Sequence, residues 1–235
     1  MLYLKKMNNM IDIKSIKLKE ENDELYYIYD NMKISPWHDI PLKNNNLFNF
    51  ICEIPKWSRD KFEISTTNKY NPLIQDIENG KPRVYNWGDT IFNYGALPQT
   101  WENPHIISDY TSKVGDNDPL DVIEIGLKKI EKGKITSVKV IGVIPLIDCN
   151  ETDWKILAIS EEDILFDKIS NISDVNYYLP GYLDAIIDWL INYKSLSKKI
   201  YNEIGMDGKI GDKHLAIKII QKTHNDWKKL LEINN

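Results

Sequence analysis

Two amphipathic stripes at helical spacing lie late in this chain, after a region patterned as strand. From Leu183 the apolar positions Ile186, Ile187, Leu190 and Ile191 recur on one helical face. Leu215, Ala216, Ile219, Ile220, Thr223, Trp227, Leu230 and Leu231 trace a second such face. Earlier, Phe48, Phe50, Cys52 and Ile54 alternate with Asn49, Ile51 and Glu53 until Pro55 interrupts. Phe62 and Ile64 then alternate with Lys61 and Glu63, and strand patterning returns over 120–125, 134–144 and 154–159. Strands first and helices afterwards predict an α+β fold, mainly β, with both helical faces packed on the core.

At 235 residues the chain is long enough to bury one sizeable core, and we expect a single domain over 1–235. Residues 8–24 are polar and charged, and about 1–24 are expected to form an irregular entry. A net charge of −5 gives no overall field for nucleic acid. The longest apolar run, 140–147, is far short of the roughly 20 residues of a membrane helix. No secretory signal pattern opens the sequence, so a cytoplasmic location is expected. Cys52 and Cys149 have no metal-ligand spacing, and are expected as buried free thiols.

Several catalytic classes are weakened by what the sequence lacks. His38, His105, His214 and His224 are scattered, with no paired spacing for a zinc site. Neither a Gly-x-Ser-x-Gly elbow nor a phosphate-binding Gly-x-x-x-x-Gly-Lys loop occurs. The run Gly205-Met206-Asp207-Gly208-Lys209 has the wrong spacing for that loop and reads as a turn.

What remains is a set of acids. Asp116-Asn117-Asp118-Pro119-Leu120-Asp121 puts three carboxylates within six residues. Alternation can set Asp116 and Asp118 on one side, and Pro119 bends the chain so that Asp121 can join them. A solvated acidic turn is the ordinary outcome for one Asp-x-Asp alone. A calcium loop of the EF-hand type fails, because Asp121 and Leu127 stand where Gly and Glu are required. A second cluster holds Asp148, Glu151, Asp153 and Lys155; on a strand, Asp153 and Lys155 share a face, as do Lys61 and Glu63. Each pair alone suits a surface ion pair equally well. Five or more carboxylates in one cleft repel strongly unless cations compensate, and a hard ion such as Mg²⁺ matches all-oxygen ligands.

The stretch Gly115-Asp116-Asn117-Asp118-Pro119-Leu120-Asp121-Val122 resembles the signature of the family I soluble inorganic pyrophosphatases, most closely the animal and fungal branch. Similarity extends over 49–63, over Asn93-Tyr94-Gly95-Ala96-Leu97-Pro98-Gln99-Thr100-Trp101-Glu102, over Glu151-Thr152-Asp153-Trp154-Lys155, over Tyr193-Lys194, and to 38–42 and 223–228. The resemblance implies a twisted five-stranded, OB-like β-barrel flanked by helices. It implies hydrolysis of pyrophosphate to two phosphates, several Mg²⁺ ions per active site and a homodimer. By the same resemblance Asp116, Asp121 and Asp153 ligate a first metal, with Asp121 bridging to a second. Asp118 is the implied general base on the attacking water, while Asp148, Asp153 and Glu63 serve metals arriving with substrate. Lys61, Arg83, Tyr94, Lys155, Tyr193 and Lys194 are the implied phosphate contacts, and Glu53 a support nearby. Such a set suits phosphoryl transfer, which needs positioning and charge stabilisation more than a covalent nucleophile. A weakly catalytic scaffold with this fold, or a hydrolase of other phosphoanhydrides, stays open at this stage. Two departures stand out: 84–93 is shortened and carries Thr90 where a further tyrosine is expected, and Lys56 replaces a frequent Arg.

Overall fold

The computed structural model describes residues 11–233. Its first two strands, β1 (Lys17–Glu21) and β2 (Glu24–Tyr29), form an antiparallel hairpin. Asn22 and Asp23 turn it with φ of 52° and 64°, the left-handed pair that a two-residue hairpin requires and that these side chains tolerate. Residues 17–21 were expected to be irregular and are strand instead, because cross-strand pairing outweighs their polar composition; the first ten residues of that expected entry lie outside those described. β3 (Met32–Ile34) pairs with β2.

The central unit is a closed ring. β4 (Leu47–Ile54) is followed by β5 (Phe62–Ile64) and β6 (Leu73–Gln75), which pair with each other and join the hairpin sheet through β2. Then come β7 (Asn93–Ala96), β8 (Asp121–Glu124), β9 (Ile135–Asp148) and β10 (Glu151–Ser160). β4 pairs with β7, β7 with β8, β8 with β10, β10 with β9, and β9 returns to β4. Every pairing is antiparallel except β8 with β10. Five strands closing on themselves are the expected OB-like barrel, a solution that removes exposed sheet edges.

Closure demands close backbone approach at one point. The register of β7 against β4 shifts between Tyr94 and Gly95. A Cβ on residue 95 would lie 1.9 Å from the Ile51 carbonyl oxygen, so only glycine fits.

Most side chains of the ring sort to two cores, while Ile51 and Ala96 join a third with Tyr27 and Trp37. Phe48, Phe50, Cys52, Val122, Trp154, Ile156 and Ala158 gather with Ala216, Ile219 and Ile220. The last three lie on helix α3 (Lys213–Ile233), which follows α1 (Ile172–Tyr178) and α2 (Tyr182–Asn192). Ile54, Ile123, Leu157 and Ile159 gather instead with Ile186, Trp189 and Leu190 of α2. Both expected helical faces are thus used for packing. The strand read over 134–144 runs on to Asp148, and turns into β10 through Cys149 and Asn150, with φ of 50° and 71°. Cys149 in that turn is exposed, which corrects its expected burial; Cys52 is buried. The 205–208 segment is a single turn with Met206 and Asp207 at positive φ.

Candidate active site

Where β8 and β10 run parallel, Asp121 falls opposite Lys155. Lys155 Nζ lies 2.5 Å from Asp121 Oδ2 and 2.5 Å from Asp153 Oδ1. The alternation of β10 explains the second contact, since Asp153 and Lys155 leave one face while Trp154 and Ile156 enter the core. Tyr94 of β7 donates to Asp121 Oδ2 at 2.5 Å, and Lys155 donates to the Tyr94 oxygen at 2.8 Å.

The loop before β8 adds the other acids. The Asn117 N–H donates to the Glu102 carbonyl at 2.9 Å, and the Glu102 N–H to the Asp118 carbonyl at 2.9 Å. Asn117 has φ 75°, and its side-chain oxygen accepts from Trp101 Nε1 at 3.0 Å. Gly115 permits this clamp, because a Cβ there would sit 2.5 Å from the Glu102 carbonyl group. The result brings carboxylate oxygens of Glu102, Asp116 and Asp153 within 4.8 Å of one another. Glu102 accepts the Trp154 N–H with one oxygen at 3.1 Å; its other oxygen is buried with no hydrogen-bond partner.

The cations arrive from two further directions. Lys61, just ahead of β5, pairs with Glu63 and reaches Asp76 at 3.2 Å; Arg83 pairs with the same Asp76 at 2.8 Å. Beyond α2, Lys194 pairs with Asp148 at the end of β9, and Tyr193 donates to that carboxylate at 2.7 Å. Lys61, Arg83, Tyr94, Asp116, Asp118, Asp121, Asp148, Asp153, Lys155, Tyr193 and Lys194 all line one cleft of about 140 Å³.

The family model described as Pyrophosphatase: inorganic pyrophosphatase matches residues 50–228. The chain belongs to the inorganic pyrophosphatase family. The human inorganic pyrophosphatase is 43% identical over 203 residues, covering 84% of this chain and 70% of its own length. The mouse protein named inorganic pyrophosphatase 2, mitochondrial, is 42% identical over 84% of this chain and 67% of its own length. Among solved structures, the N-terminally truncated vacuolar soluble pyrophosphatase of Trypanosoma cruzi in complex with PPi superposes with a TM-score of 0.87. It is 40% identical and covers 92% of this chain and 90% of that one.

Within this cleft, eleven of the thirteen residues expected from the sequence converge as lining. The other two are not among the lining residues. Glu63 holds Lys61, and Glu53 is wholly buried, accepting the Ile64 N–H at 2.9 Å. Sequence reasoning misses Glu102, which in the sequence only closes the 93–102 similarity, and Asp76, which spaces Lys61 from Arg83. The signal for Glu102 is chemical: an acid directly after the large apolar Trp101, in a stretch that otherwise packs. Asp76 carries no such signal, because its value lies wholly in pairing with distant cations.

The charges shape each other. Burial, then Asp116 and Asp153, push Glu102 well above the usual carboxylate range. Burial, then Asp153 and Asp118, do the same to Asp116. Asp153 is raised to about 7, burial outweighing the attraction of Lys155. Asp118 rises to about 6 through desolvation and the neighbouring Asp121 and Glu63 charges. Lys155 loses stability as a cation through burial, but Asp121 and Asp153 more than reverse this and hold it protonated. An orphaned buried oxygen within a group of mutually repelling carboxylates is the donor set that a hard divalent cation satisfies.

Proposed function

We propose that this cleft hydrolyses inorganic pyrophosphate to two phosphates, with Mg²⁺ as its cation. The observation that carries the reading is the convergence of Glu102, Asp116 and Asp153 beside Lys61, Arg83, Lys155 and Lys194 in one small cleft. A space of about 140 Å³ suits a small, highly charged anion. Asp116, Asp121 and Asp153 would hold a first metal and Asp121 would also serve a second, while Asp148 and Glu63 would serve further ions and Glu102 would complete the group. When bound, Mg²⁺ supplies countercharge to these acids and to the phosphate oxygens, and acidifies water.

The protein's own groups do the rest. Lys61, Arg83, Tyr94, Lys155, Tyr193 and Lys194 hold the phosphates and offset the charge that develops on the departing one. Asp118, with its carboxyl lifted to about 6, is ionised at neutral pH yet basic enough to take a proton. As a water oxygen bonds to one phosphorus, the bridging P–O bond breaks towards the other, and Asp118 receives the proton that water gives up. Glu53 supports the wall behind.

Phosphate release from pyrophosphate with Mg²⁺, for the natural chain and for Asp118→Asn, tests the reading. Metal-dependent release by the natural chain and a loss of roughly 100-fold or more in the variant are expected. No metal-dependent release, or faster cleavage of ATP than of pyrophosphate, counts against it.

The same reading carries a homodimer in the cytoplasm. Trp57 and Trp87 are exposed and available to a second copy, and among the described residues no helix is long and apolar enough to cross a membrane. Sedimentation and cell fractionation check these two points.

A further inference from the structure

The shortened segment 84–93 does not put Thr90 in the cleft. Thr90 is fully buried, its hydroxyl donating to the Pro55 carbonyl at 3.1 Å and the Ser58 carbonyl at 3.2 Å. A different residue of the same segment lines the cleft instead: Tyr85. We propose that Tyr85 contacts substrate directly, its hydroxyl donating a hydrogen bond to a phosphate oxygen of bound pyrophosphate. This rests on the function proposed above.

Local backbone pairing explains the placement. The Tyr85 N–H donates to the Arg59 carbonyl at 2.8 Å, the Lys61 N–H donates to the Arg83 carbonyl at 3.1 Å, and Asp60 bridges Val84 in antiparallel register. Residues 83–85 therefore run extended beside 59–61. Alternation sends Arg83 and Tyr85 to the cleft and leaves Val84 outside, where it is exposed. The ring is then fixed edge-on by Trp189, at 4.8 Å and 83°, and by Tyr193, at 5.5 Å and 88°. Trp189 and Tyr193 themselves stack at 5.1 Å. A ring held this way loses little freedom when its hydroxyl binds something.

Three tyrosines line the cleft, and they differ in what their hydroxyls already do. Tyr94 is committed to Asp121 and Lys155, and Tyr193 to Asp148. Tyr85 makes ring contacts, and its hydroxyl forms no hydrogen bond with any described residue. Lys61, Lys155, Arg83 and Asp121 line the same cleft and are the charges that act on it. Burial lifts the phenol to about 12 although those three cations pull the other way, so at neutral pH it is a donor. A protonated donor among cations, in a cleft that takes a polyanion, meets a phosphate oxygen.

Tyr85→Phe keeps the ring and removes the oxygen. The expected result is a KM for pyrophosphate raised roughly 10-fold or more, as for loss of a hydrogen bond to a charged group, and Mg²⁺-dependent binding of inorganic phosphate weakened in parallel. The thermal unfolding midpoint should stay within about 1 °C, since the ring contacts persist. A purely structural role would change the midpoint or the active fraction and leave KM and phosphate affinity alone; that result overturns the assignment. If Tyr85→Phe does not fold, 3-fluorotyrosine at position 85 of the otherwise natural chain gives a fluorine resonance. A shift on adding Mg²⁺ and phosphate supports the contact, and an unmoved resonance overturns it. A natural chain without pyrophosphate turnover sinks the functional reading itself, whereas normal turnover with an unaltered Tyr85→Phe sinks only this inference.

Discussion

Asp121 and Lys155 face each other across the parallel pairing of β8 and β10, carboxylate to ammonium at 2.5 Å. Both are largely buried, and Asp153 shares the same ammonium. Removing the cation leaves two acids repelling each other in a low-dielectric site. Lys155→Ala is expected to lose about 3–5 kcal/mol of stability without metal, the usual cost of breaking a buried pair from one side. Denaturant unfolding in chelator measures it. Adding Mg²⁺ should recover much of the loss; equal losses with and without Mg²⁺ would show that charge is not the cause.

Glu102→Gln should act in opposite directions on the two forms. Its carboxyl is forced towards the neutral state by burial and by Asp116 and Asp153. The neutral amide relieves that repulsion, so the metal-free protein should unfold at a higher temperature than the natural chain. The same change removes a ligand charge, so Mg²⁺ affinity measured by calorimetry should fall about 10-fold or more. A lower metal-free midpoint with unchanged affinity would assign Glu102 a structural role only.

Stability against pH follows from the same acids. Asp118 and Asp153 have folded-state values of about 6 and about 7, above the usual aspartate value. A group raised on folding stabilises the fold while protonated, so its contribution is complete below about pH 4 and is lost as pH climbs through 6 and 7. The metal-free chain should therefore lose several degrees of unfolding midpoint between about pH 5 and 8, at roughly 2–4 °C per kcal/mol for this size. Saturating Mg²⁺ should flatten that slope, because the ion stabilises the ionised form. Scanning calorimetry with chelator and with Mg²⁺ decides it; a metal-free midpoint that rises over this interval would contradict the sign.

Gly95→Ala should disrupt the barrel where β7 crosses β4. The new methyl would meet the Ile51 carbonyl oxygen and the Glu53 N–H at distances no real Cβ adopts. A loss of several kcal/mol is expected, with Tyr94 displaced as well because it is the adjacent residue. Denaturant unfolding tests it, and a variant within 1 kcal/mol of the natural chain would mean the strands part easily there.

Much of this was readable from residue order alone. Alternation over Phe48–Ile54 marked a strand, though Asn49 and Glu53 on its polar side are also buried, because the strand is covered on both faces. Asp153 and Lys155 were assigned one face of a strand by spacing, and the ion pair between them follows from that spacing. The helical faces after Leu183 and Leu215 were legible because 3.6-residue periodicity is a local property. Asp76 and Tyr85 were not legible as site residues, and Glu102 only as an acid beside Trp101, since little in their own neighbourhoods reports what lies across the fold.

The sequence by itself determined which groups exist and which side of a strand or helix each one leaves, because side-chain direction is set by backbone period. Only the tertiary structure decided which strands become neighbours: that β8 lies against β10, and that the Gly115 loop is clamped to Glu102. Those choices belong to ring closure and core packing between residues far apart in the chain. Proximity then sets the charges, since burial and mutual repulsion act through space and not along the backbone.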